Sequence, residues 1–135
     1  MQMDVHQTTE CVFEVPAGWI DRTRHFYKRG DLIANAMELG PVGPARERME
    51  RGLQGLRVSM PGYSLLERVA LDRPVKGSEL IAQRFGAPEA FEVSVFWPIA
   101  GVLWMFRVQG PPGSEELCRE AMESFLNTYE PLVEP

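Results

Sequence analysis

Between Val93 and Phe106 the chain carries no charged side chain. A membrane-spanning helix needs about 20 consecutive apolar residues, and this run is shorter. Pro98 and Gly101 also interrupt it where a turn naturally falls. The segment therefore reads as a β-hairpin with Phe91 to Trp97 and Val102 to Gln109 as its arms. In an alternating register Val93, Val95 and Trp97 share one side of the first arm, and Glu92, Ser94 and Phe96 the other. Across the turn, Trp104, Phe106 and Val108 oppose Leu103, Met105 and Arg107. With Phe91, Phe96, Trp97, Trp104 and Phe106 in so short a stretch, both sides carry large apolar groups. A sheet apolar on both faces needs a cover for each. A second subunit or a hydrophobic ligand is one such cover; helices and long loops are another.

The rest of the chain is punctuated by proline and glycine. Cys11 to Val15 alternates and stops at Pro16-Ala17-Gly18, which gives a first strand and a turn leading to Trp19. Arg22 to Lys28 and Asp31 to Leu39 read as an antiparallel pair joined tightly at Arg29-Gly30. Pro41, Gly43 and Pro44 then precede a helical stripe of Met49, Leu53, Leu56 and Met60, whose opposite face is charged and rests in water. Pro61-Gly62 ends that helix. Tyr63 to Leu71 has strand character with Leu65, Val69 and Leu71 on one inner face, and Ser78 to Phe85 is a further strand before the hairpin. Short loops in consecutive order favour an antiparallel meander. Ser114 is a candidate N-cap for a last helix, with Glu115 and Glu116 near its positive end and Leu117, Ala121, Phe125 and Tyr129 as its buried stripe. The expected fold is α+β, an antiparallel sheet of about six to seven strands with helices packed on it.

A chain of 135 residues with 44% hydrophobic content suits one domain covering residues 1–135. Its 14 basic and 19 acidic side chains give a net charge of −5, which argues against nucleic acid or an anionic membrane as partner. Cys11 and Cys118 form no CxxC motif, so they suggest neither a metal nor a redox site, while a disulfide between them stays open. The N-terminal MQMDVHQTTE lacks the basic start and apolar core of a signal peptide, which points to a cytoplasmic protein with no membrane insertion.

Residue sets that carry chemistry are missing. The dinucleotide, Walker, zincin and nucleophile-elbow patterns are absent. His6, on a polar tail, and His25, on a strand, have no ligand partner at metal-binding spacing. Glu92 stands in an apolar strand, where a buried carboxylate could serve as acid or base; strand alternation instead predicts a solvated side chain. The turn Trp19-Ile20-Asp21 reads as packed and hydrogen-bonded. No catalytic residue, metal or cofactor is expected.

The stretch Phe13-Glu-Val-Pro-Ala-Gly-Trp-Ile-Asp-Arg-Thr23, the Leu56 to Leu66 region with Met60-Pro-Gly-Tyr63, and the closing helix resemble the DcrB-like family, whose members have a PsbP-like α/β sandwich. The resemblance spans nearly the whole chain, and its most characteristic piece is the turn built on Pro16, Trp19 and Asp21. The cytoplasmic members include the Eag chaperones of type VI secretion, which dimerise and hold hydrophobic N-terminal transmembrane segments of toxin effectors before export. The resemblance thus implies a homodimeric chaperone or adaptor whose partner is an apolar segment of another protein. By position, the family's groove-lining strand corresponds here to Arg24, Phe26 and their neighbours, so that Arg24 brings a charge to the groove. Phe26, Met37, Phe96 and Trp104 complete the expected apolar lining.

Two other functions follow from other features. A structural or regulatory module of the same fold would meet a folded partner through a flat, polar sheet face. An enzyme would need a concave pocket gathering Glu92, Asp21 or His25.

Overall fold

The computed structural model describes residues 3–7, 12–16, 25–86 and 90–129, with side chains from residue 27 onward within them. Met3–Gln7 (β1) and Val12–Pro16 (β2) pair antiparallel as a two-stranded sheet, Met3 opposite Pro16 and Gln7 opposite Val12. His6, expected on a polar tail, therefore lies in a strand. The expected first strand matches β2 to within a residue, and its partner β1 escaped notice because its sequence, MDVHQ, is polar.

The main sheet contains His25–Arg29 (β3), Leu32–Pro41 (β4), Ser64–Leu71 (β5), Ser78–Phe85 (β6), Ala90–Ile99 (β7) and Val102–Gly110 (β8). Its order is β3-β4-β8-β7-β6-β5, and every neighbouring pair is antiparallel. β5 to β8 form the expected meander, and the β3–β4 hairpin adds to its far side. The apolar hairpin β7–β8 accordingly occupies the centre of the sheet. Its turn is tighter than expected. Ile99 pairs with Val102, and Ala100 and Gly101 both hold positive φ, at 51° and 79°, the two-residue connection whose twist matches that of the strands.

Two helices cover the two faces. Val42–Ser59 (α1) follows β4 directly, and Glu115–Thr128 (α2) closes the chain. Beneath α2 lies the larger core, in which Val93, Val95, Trp97 and Val108 of the sheet pack with Cys118, Met122 and Leu126. Phe106 stacks on Phe125 with ring centroids 4.1 Å apart, and the Trp97 indole N–H donates to the Tyr129 hydroxyl at 3.1 Å. Gly110, at the end of β8, leaves no room for a side chain, since a Cβ there would collide with Ser114 Oγ and come within 2.7 Å of Leu32 Cδ2. Beneath α1 lies a smaller core of Ala45, Ile81, Phe96, Leu103 and Met105.

Three local expectations need correction. The buried stripe of α2 is Cys118, Met122 and Leu126, with Ala121, Phe125 and Tyr129 at its margin, while Leu117 stays 56% exposed. Ser114 does occupy the N-cap, but its hydroxyl donates to the Pro111 carbonyl at 2.6 Å instead of accepting from a helix N–H. In β5 a bulge between Leu65 and Glu67 separates residues expected on one face: Leu65 lies opposite Gln83 and Val69 opposite Leu80, on different sides of the sheet.

Candidate functional site: a cleft between α1 and the sheet

The strand registers arrange the α1 side of the sheet in rows. One row runs Gln83, Glu92, Gln109, Ile33; the next Ile81, Ser94, Arg107, Asn35; the third Glu79, Phe96, Met105, Met37. Polarity thus falls along the strands, from Glu92 through Ser94 to Phe96 on β7 and from Arg107 to Met105 on β8. α1 starts over the apolar end, where the Val42 N–H donates to the Gly101 carbonyl at 3.0 Å. It finishes over the polar end, where the Gly86 N–H donates to the carbonyl of Pro61 at 2.8 Å.

The helix does not fill the space beneath it. Ala45 is its one buried residue among the described side chains, and Met49, Leu53 and Leu56 are half-buried. Between them and the sheet is a cleft of about 530 Å³, walled by Met49, Leu53, Leu56, Ile81, Phe96 and Met105. Volumes of a few hundred Å³ with apolar walls and a few polar groups are usual for binding sites.

Its polar floor is bonded internally. Glu92 is only 5% exposed. Glu92 Oε1 receives Gln83 Nε2 at 3.0 Å, Arg107 Nε at 3.0 Å and Ser94 Oγ at 3.4 Å. The Arg107 Nε–H also reaches Ser94 Oγ at 3.3 Å, and the Tyr63 hydroxyl donates to Gln83 Oε1 at 3.0 Å. Burial raises the Tyr63 phenol above its ordinary value, so it remains a donor. The solvated reading of Glu92 is therefore wrong. Alternation places it on the face opposite Val93, but that face is covered too, and an ion pair with Arg107 compensates the carboxylate. The signal that could have found it is the pair itself, Glu92 and Arg107 lying on hairpin arms within one row of each other.

The expected client-binding residues do not share one lining. Met37 and Phe96 lie on the α1 side, packed in or against the smaller core. Trp104 packs against the larger core on the α2 side. Phe26 lies opposite Asn35 in the β3–β4 register, its side chain outside the described residues. Arg24, Trp19 and Asp21 fall outside the described residues, and Pro16 ends β2. Sequence reasoning missed the helix side of the cleft, Met49, Leu53 and Leu56, because an amphipathic stripe reads as buried core whether or not it reaches the sheet.

Among the described residues no group of three or more histidine, cysteine, aspartate or glutamate side chains could hold a metal ion. Cys118 is a free, buried thiol beneath α2, its pKa raised by burial. No described helix is long and apolar enough to cross a membrane.

No family model matches the chain, and no curated protein matches it. Among solved structures it is similar to PA94 of Pseudomonas aeruginosa, a protein of unknown function described as a candidate regulator. The likeness has a TM-score of 0.71 at 15% identity and covers 99% of this chain and 100% of that one, so the two share a fold.

Proposed function

We propose that this protein is a non-enzymatic chaperone or adaptor that holds an apolar, transmembrane-like helical segment of a client protein at the cleft between α1 and the sheet. The observation that carries this reading is an apolar-walled cleft beside an amphipathic helix whose stripe remains half-buried. Covering about 300 Å² of apolar client surface at ~25 cal/mol per Å² yields about 7.5 kcal/mol before the costs of association. The ionisable groups on the floor, Glu92 and Arg107, bond to each other, which suits a binding surface better than proton transfer. On the resemblance to the Eag chaperones, the client is the hydrophobic segment of a type VI secretion effector, held in the cytoplasm by a homodimer.

A second reading rests on β5, an edge strand with exposed Leu65, Leu66 and Val69. An edge that no other described strand pairs, with apolar side chains, suits strand addition by a folded partner, as in a structural or regulatory module.

Co-expression with an apolar helical segment, followed by size-exclusion chromatography with light scattering, tests the first reading. The wild type and Leu117→Asp, changed on the opposite side, are expected to co-elute with the segment. Leu56→Asp, changed on the cleft wall, is expected to lose it while keeping its thermal transition. Retention of the segment by Leu56→Asp, or its failure to co-elute with the wild type, overturns the reading.

A further inference from the structure

We propose that the cleft beneath α1 is also a site for a free medium-chain fatty acid, with its carboxylate on Arg107 and its alkyl chain between α1 and the β7–β8 hairpin. This goes beyond the chaperone reading, since it needs no protein client. The first argument is that the cleft is a fixed slot. α1 is fastened at both ends, by the Val42 N–H on the Gly101 carbonyl at its start and by the Gly86 N–H on the Pro61 carbonyl just beyond its finish. Between them Arg46 donates to the Gly77 carbonyl at 3.1 Å, and Glu50 is paired with Arg68 of β5. The space under the helix, about 530 Å³, is therefore built into the fold, and it lies in the size range of small-molecule sites.

The second argument is charge. Of the described side chains that line the cleft, Arg48 and Arg107 are cationic, and Glu92 alone is anionic. Arg48 donates to the Leu39 carbonyl, which neutralises nothing. The lining thus holds one positive charge more than it compensates, in a chain whose net charge is −5. A ligand with a single carboxylate supplies the missing charge.

The third argument is the geometry at Arg107. Its Nε donates to Glu92 Oε1 at 3.0 Å and to Ser94 Oγ at 3.3 Å, while Gln83 Nε2 holds the same glutamate oxygen at 3.0 Å. Among the described residues neither Nη group of Arg107 makes a hydrogen bond, and the side chain is 33% exposed. The remaining N–H donors of a guanidinium form a planar fork that matches a carboxylate. One row further along the strands, about 7 Å away, the same face turns apolar at Phe96 and Met105, with Met49 and Leu53 of α1 as the opposite wall. A place for an anionic head and a place for an apolar chain therefore lie end to end, which is the layout of a fatty acid.

The test is methyl NMR of the methionine-labelled full chain titrated with decanoate below its micelle concentration. Acetate, the head without the chain, and decyltrimethylammonium, the chain with the opposite charge, are the comparisons. Decanoate is expected to bind saturably and to shift Met49 and Met105 with Met122 unmoved. Both comparison compounds are expected to bind at least about tenfold more weakly. Arg107→Lys keeps a positive charge beside Glu92 and loses the fork, and it is expected to weaken decanoate about tenfold while keeping the thermal transition. The site is overturned if the wild type does not bind decanoate, if it binds decyltrimethylammonium equally well, or if the shift falls on Met122 alone. Undiminished affinity in a folded Arg107→Lys overturns it too; should that variant unfold, the comparison of ligands on the wild type decides. The chaperone reading is tested with a helical peptide, and none of these results touches it.

Discussion

Glu92 and Leu103 illustrate what single residues contribute on the two kinds of surface in this sheet. Leu103, on β8, has no exposure and sits in the smaller core under the start of α1. Truncating it removes a side chain and leaves a cavity, so Leu103→Ala is expected to cost about 2–5 kcal/mol. Leu117, a helix residue of the same type but 56% exposed, is expected to change stability by at most about 0.5 kcal/mol as Leu117→Ala. Urea midpoints of the two variants check the contrast, and equal losses would contradict the burial assigned to them. Alternation along β7 and β8 made both faces of the hairpin legible in the sequence, since it depends on local backbone geometry alone. The state of Glu92 was not legible, because burial of a carboxylate depends on a partner strand and a helix far away in the chain.

At the scale of elements, both helices are tied to the sheet by carboxylates. Glu50 of α1 meets Arg68 of β5, and Glu115 of α2 meets Arg84 of β6 at 2.7 Å. Hydrogen bonds from these arginines hold both glutamates below the ordinary carboxylate value of 4.5. With folded values below unfolded ones, the stability they add is complete above that value and is lost as pH falls through the lowered ones. Denaturant midpoints are therefore expected to change little between pH 7 and 6, as far as these pairs are concerned, and to drop below pH 4.5. Glu50→Gln and Glu115→Gln together should flatten that drop; an undiminished drop in the double variant would show that other groups cause it. Most strands and both helices were legible from Pro and Gly punctuation and from apolar spacing. The burial of α2 was misjudged by one position because Cys118 and Met122 face the sheet more directly than Leu117 and Ala121. The bulge in β5 was invisible because a register shift belongs to the pairing of two strands and leaves no mark in one.

The whole molecule is asymmetric. Of the two faces, one is closed by α2 with aromatic stacking and fully buried aliphatic residues. The other is bridged by α1, which leaves a cleft with apolar walls and a bonded polar floor. The sequence required a cover for each face of the central hairpin. It could not tell how completely each helix would cover its own, since that follows from where α1 crosses the strands. Trp104 was grouped with Phe96 and Met37, although it packs on the opposite side, because the register that sets it across from Trp97 depends on the length of the hairpin turn. Methionines mark the two sides: Met49 and Met105 line the cleft, and Met122 is buried beneath α2. The most direct measurement is therefore methyl NMR of methionine-labelled protein titrated with a solubilised apolar helical peptide. Shifts at Met49 and Met105 with Met122 unmoved are the predicted result. Binding that moves Met122 and leaves Met49 and Met105 in place would contradict a client site between α1 and the sheet.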